Sequence, residues 1–119
     1  MWLFCRQGFF SAVEHRDDKD MILLRARFGG DLEKLLSSCG GANYMPTIEH
    51  TPEADYAYRV AVPRTLWREI VAQVAEEIDS DNFKNSVHEG HGSARDEAYM
   101  ECWWALRKAQ GFSRTCSMQ

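Results

Sequence analysis

The sequence predicts an α+β domain, an antiparallel sheet of about five strands with helices packed on one face, in the order β-β-β-α-β-β-α-α. Three observations carry that expectation. Tyr56, Tyr58, Val60 and Val62 alternate along the chain as one face of a strand does. Trp67, Ile70, Val71, Val74 and Ile78 then recur at helical spacing. The remaining β-prone runs are joined by turns and not by helical crossovers, so local hairpins replace βαβ units.

The first strand is expected over residues 2–6 and the second over 9–15, with Gly8 free to take the positive φ of a tight hairpin. On the second run Phe9, Ser11, Val13 and His15 face one way, and Phe10, Ala12 and Glu14 the other. The charged cluster Arg16 to Asp20 is a loop, and residues 21–28 form a third strand. Ile22, Leu24, Ala26 and Phe28 are its apolar side, with Arg25 and Arg27 opposite. If the pairing of strands two and three sums to 39, Glu14 stands across from Arg25 as a cross-strand ion pair.

Gly29-Gly30 breaks the third strand, and Asp31 is suited to cap a short helix with Leu32, Leu35 and Leu36 buried. That helix is expected to end near Cys39-Gly40-Gly41. Thr47 to His50 reads as a short strand, and the turn residues 51–55 return the chain to the Tyr56 strand. Pro63 lacks a backbone donor and has the φ of a first helical turn, so it hands the strand over to the Trp67 helix. Asp79 and Asp81 can stop that helix and cap the next segment. A final helix from Ser93 to about Ala109 should bury Tyr99, Cys102, Trp103 and Leu106. The expectation is a single domain over 1–110 with a polar tail at 111–119.

The chain has 119 residues and 45% hydrophobic composition, enough for a self-standing core. Its formal charge of −4 disfavours nucleic-acid binding by the surface as a whole. No apolar run approaches a membrane span and the opening residues do not form a leader, so a soluble cytoplasmic protein without a membrane partner is expected. The four cysteines, Cys5, Cys39, Cys102 and Cys116, have no C-x-x-C spacing and read as reduced thiols, Cys5 and Cys102 as core residues.

Chemistry is sparse. His88 and His91, with Glu89 between them, are weak metal candidates because neighbouring glycines prevent a helical ligand pair, and no cofactor is expected. His15 and His50, at strand ends, would serve a small enzyme or nucleotide-related protein as an acid–base pair only if they meet. Arg25, Arg27, Arg59 and Arg6, with Phe10 near them, resemble the basic and aromatic sheet surfaces that bind single-stranded nucleic acid, although on an acidic chain cross-strand ion pairing is the more common reason for such charges and nucleic acid is not the expected partner. Glu76, Glu77, Asp79 and Asp81 crowd the end of the Trp67 helix, where the macrodipole disfavours acids, either as caps or as a docking surface. Trp103 and Trp104 lie about 100° apart on a helix, so Trp104 and Met100 are candidates for a contact with a protein partner or a second copy.

The segments WLF-x-x-x-GFFSAVEHRDD-x-D-x-ILLRAR, TP-x-ADY-x-YRV-x-V and EEID-x-DNFK together resemble a family of small bacterial proteins known as uncharacterised sequences, over about residues 1–87. That resemblance implies a bacterial or bacteriophage origin and brings no activity, cofactor or site residue. The functional expectation is therefore a non-enzymatic protein-binding or regulatory module, one version being an inhibitor that docks an acidic and aromatic surface on its partner.

Overall fold

The computed structural model describes residues 1–38, 46–79, 81–83 and 92–112. The chain falls into two compact units, residues 1–79 and 80–119. The first holds five strands and two helices: β1 (Trp2–Cys5), β2 (Gly8–Glu14), β3 (Met21–Ala26), α1 (Asp31–Ser38), β4 (Glu49–His50), β5 (Tyr58–Pro63) and α2 (Arg64–Glu76). The second holds α3 (Ser93–Gln110). All neighbouring strands pair antiparallel in the order β1-β2-β3-β5-β4, which is the α+β class expected.

The inner face of the sheet and the two helices make one core. Phe10, Ala12, Ile22, Leu24, Ala26, Val60 and Val62 project from the strands, and Leu32, Leu35 and Leu36 of α1 and Trp67 and Ile70 of α2 close over them. Large and small residues alternate across the strands, Phe10 lying in the register position of Ala26 and Ala12 against Leu24. That complementarity sets the β2–β3 register, whose partners sum to 36 (Ser11 with Arg25, Glu14 with Ile22). The expected sum of 39 is wrong by three residues. An odd slip exchanges faces, so Phe10 is completely buried in the core and not beside the arginines, and Ser11 takes the place expected for Glu14. Glu14 instead accepts from Arg64 Nη2 at 3.1 Å. Arg64 also holds the β2–β3 loop through the Lys19 carbonyl, and the Arg64 amide donates to the Asp20 carbonyl.

Other differences are local. β3 stops at Ala26, so Phe28 is 36% exposed and not part of its apolar side. Tyr56 lies in the bend before β5 and stacks under two arginines instead of alternating with Tyr58. Asp31 is the first residue of α1 and not its cap; the Gly30 carbonyl accepts the Lys34 amide, while Asp31 Oδ2 accepts the Phe9 amide. Pro63 does hand β5 over to α2, as the residue immediately before the helix. α2 ends at Glu76, leaving Ile78 beyond it and 76% exposed, so the buried stripe is Trp67 and Ile70 flanked by Val71 and Val74.

In the second unit, α3 ends at Gly111, whose positive φ places it in the left-handed region and whose amide donates to the Lys108 carbonyl. Tyr99 is buried, but Cys102 is exposed and Leu106 is 74% exposed, so the expected stripe does not form. The apolar residues of α3 are spread around the helix, and three of the four in that stripe, Cys102, Trp103 and Leu106, meet water.

Candidate functional site

Antiparallel pairing places one side chain from every strand in a single row on the outer face of the sheet, the face turned away from α1 and α2. Trp2 is the Cα partner of Ser11, Ser11 of Arg25, Arg25 of Arg59, and Arg59 of Glu49. Arg25 Nη2 donates to Ser11 Oγ at 3.0 Å, and Arg59 donates from Nε to Glu49 Oε2 at 3.0 Å and from Nη2 to Thr51 Oγ1 at 2.7 Å. Beside this row Tyr56 lies under two guanidiniums, with Arg25 at 4.6 Å and Arg27 at 4.1 Å from its ring centre. Arg27 also donates to the Asp55 side chain at 3.0 Å and to the Asp55 carbonyl at 2.6 Å. The Asp55 hydrogen bond pushes the Arg27 guanidinium above its ordinary value, so its charge is permanent in water.

At the β1 side the outer face is aromatic. Phe4 and Phe9 are register partners with rings 4.5 Å apart, and Trp2 meets Phe9 edge-on at 6.0 Å. Toward β4 the face opens into a cleft of about 500 Å³ whose walls include His15, Leu23, Thr47, Glu49, Arg59 and Ala61. That volume lies within the range of small-molecule sites. Leu23 and Ala61, register partners, form an apolar floor between the polar ends.

The structure separates most of the sequence candidates. His15 borders the cleft on the outer face, with Nδ1 accepting the Asp17 amide at 3.1 Å. His50 pairs with Tyr58 and stacks on its ring at 4.3 Å, on the inner side. The two histidines are on opposite faces and do not form an acid–base pair. Arg25, Arg27 and Arg59 do share the outer face, as expected, but each is engaged by a neighbour. Arg6 is not with them; it pairs with Asp79.

The acids after α2 have partners within the first unit. Glu77 Oε2 accepts from Gln7 Nε2 at 2.6 Å, and Asp79 accepts from Arg6. Arg6 and Gln7 form the turn between β1 and β2, so these acids fasten that turn to the end of α2. Their place against the macrodipole has a structural cause that the local sequence does not display. Glu76 and Asp81 are exposed. In α3, Met100 and Trp104 are half-buried and Trp103 is 36% exposed, with the two indoles edge-on at 4.9 Å and Arg107 over Trp103 at 5.2 Å.

His88, Glu89, His91, Cys39 and Cys116 lie outside the described residues. Among the described residues no group of three His, Cys, Asp or Glu is arranged to hold a metal, and no helix is long and apolar enough to cross a membrane. The cleft went unrecognised in the sequence because Leu23, Thr47 and Ala61 are ordinary strand and loop residues. Only the Arg25–Arg59 pairing, readable once both registers are known, marks that face. No protein-family model matches this chain, and neither the curated proteins nor the solved structures searched contain a match, so the resemblance to small bacterial proteins gains no support from them.

Proposed function

We propose that this chain is a non-enzymatic binding or regulatory module whose working surface is the outer face of the sheet. The observation that supports this reading is the cleft itself, which brings His15, Arg59 and Glu49 around an apolar floor. The acids after α2, by contrast, are occupied by Arg6 and Gln7. An acid–base enzyme is less well supported, because His15 and His50 are on opposite faces. Single-stranded nucleic acid is also less well supported, because Asp55 and Glu49 neutralise two of the three arginines. The test is a two-dimensional NMR screen of the full chain with small-fragment mixtures. Shifts gathered at the Leu23, Arg59 and Ala61 amides are expected, and hits confined to other surfaces would defeat the reading.

A second reading, a protein partner or self-association through α3, rests on the exposure of Trp103 and Leu106 at 36% and 74%. Sedimentation decides it for self-association: a concentration-dependent increase in mass that Leu106→Asp abolishes supports the contact, and a strict monomer removes it.

A further inference from the structure

We infer that the outer-face cleft takes a small aromatic carboxylate, its acid group on Arg59 and its ring on Leu23 and Ala61; this rests on the reading of that face as a binding surface. Arg25 and Arg59 are direct cross-strand partners, an arrangement in which like charges repel. The row that holds them contains one carboxylate, Glu49, so it carries two guanidiniums against one acid. Arg27 and Asp55 balance each other separately. The row is left with one net positive charge, that of Arg25, directly across from the cleft-lining Arg59.

Arg25 Nε is buried without an acceptor among the described residues. A guanidinium has five N–H groups, and the Glu49 and Thr51 contacts use two of those on Arg59. The remaining three, including both on Nη1, belong to a side chain 34% exposed beside the cleft. Such a fork fits a carboxylate.

The Leu23 and Ala61 floor offers no polar atom from its side chains, which suits a flat apolar body and gives nothing to a bare phosphate. At the other end His15 Nδ1 accepts the Asp17 amide, which puts the ring proton on Nε2 and makes that atom a donor. By strand geometry His15 and Arg59 stand about 16 Å apart at Cα, two side-chain rows and two strands. Glu49 and Thr51 hold the Arg59 guanidinium toward β4, so His15 and Arg59 act on separate parts of the cleft. Glu49 shares Arg59 with the ligand and repels it, so affinity is modest and Glu49 limits it.

The probe is 4-hydroxybenzoate, titrated by NMR into the full chain alongside 4-hydroxybenzamide and inorganic phosphate. The acid is expected to shift the Leu23, Arg59 and Ala61 amides. Its affinity should fall about tenfold or more in Arg59→Met, the worth of a charge-assisted hydrogen bond, and rise severalfold in Glu49→Gln. Equal binding of the amide, equal binding of phosphate, or an Arg59→Met chain with a dispersed spectrum and unchanged affinity each overturns the carboxylate assignment while the face remains a binding surface. If none of the three probes moves the cleft amides at about 10 mM, a ligand concentration that detects even very weak complexes, the carboxylate assignment falls, and the fragment screen decides the binding-face reading separately.

Discussion

On the inner face of the sheet Phe10, Leu24 and Val62 are fully buried beneath α1 and α2; on the outer face of the same strands Ser11, Arg25, Arg59 and Glu49 form a polar row. One residue along each strand separates the two. The inner face is held by area removed from water, which is non-directional and tolerates exchange among apolar side chains of similar volume. The outer face is held by hydrogen bonds whose partners are fixed by register, and most of its groups retain solvent contact. Its bonds contribute little net stability, since exposed ion pairs are worth about 0 to 1 kcal/mol. The comparison separates what holds the fold from what is available for recognition, and substitutions on the two faces should differ accordingly.

The largest effect belongs to the inner face. Trp67 is 8% exposed at the junction of α2 with the core, and Trp67→Ala should destabilise the chain by roughly 3 to 5 kcal/mol in urea unfolding. Wild-type stability in that variant would mean that α2 does not close the sheet.

Gly8→Ala should come next, at about 2 to 3 kcal/mol. Gly8 has φ of 147°, and a Cβ there would lie 2.1 Å from Asp31 Oδ2. The buried Asp31 carboxylate holds the Phe9 amide, so moving it aside exposes a second cost, a buried donor without its acceptor. Asp31→Ala in the same background relieves the clash. A Gly8→Ala loss that persists undiminished in the double variant would assign the whole effect to backbone strain.

These two positions also show how far the sequence could be read. The alternation in residues 58–62, the helical spacing from Trp67 to Val74 and the Pro63 junction were all visible, because each is a local pattern. The β2–β3 register was not. Phe9 and Phe10 are adjacent, so both faces of β2 carry an aromatic residue, and the six residues between β2 and β3 hold no tight-turn signature. The register instead puts Ala12 against Leu24 and buries Phe10 with Ala26 in one core, an arrangement between strands that no local pattern displays. Ile78 continued the helical spacing on paper, but α2 ends before it. The site shows the same division: its arginines could be placed on one face, whereas the cleft depends on Thr47 and Ala61, which gain meaning from β4 lying beside β5.

Arg59→Met sharpens the contrast between faces. Its bonds to Glu49 and Thr51 are partly exposed, so unfolding should show a change under about 1 kcal/mol. Cross-strand repulsion with Arg25 disappears in the same substitution and offsets part of that loss. A drop of the size expected for Trp67→Ala would make the outer face a second core and not a binding surface.

The smallest effects lie where α2 meets the β1–β2 turn, and their order matters more than their size. Glu77 receives the part-buried Gln7 amide, so Glu77→Ala should cost about 1 kcal/mol. The Arg6–Asp79 pair has side chains 48% and 71% exposed, so Asp79→Ala should cost only a few tenths of a kcal/mol and the loss should vanish in about 1 M salt, where the screening length shrinks to about 3 Å. Glu76 is exposed in the last turn of α2, and removing its charge relieves the macrodipole, so Glu76→Ala should be neutral or stabilising by a few tenths of a kcal/mol. Urea titrations of the three variants at low and high salt measure the order. If all three lose equally, the acids act as one diffuse charge and the fastening of the turn to α2 is without energetic consequence; the ranked result, with Glu77 foremost, shows that a run of acids placed against a helix dipole is held there by residues seventy positions earlier in the chain.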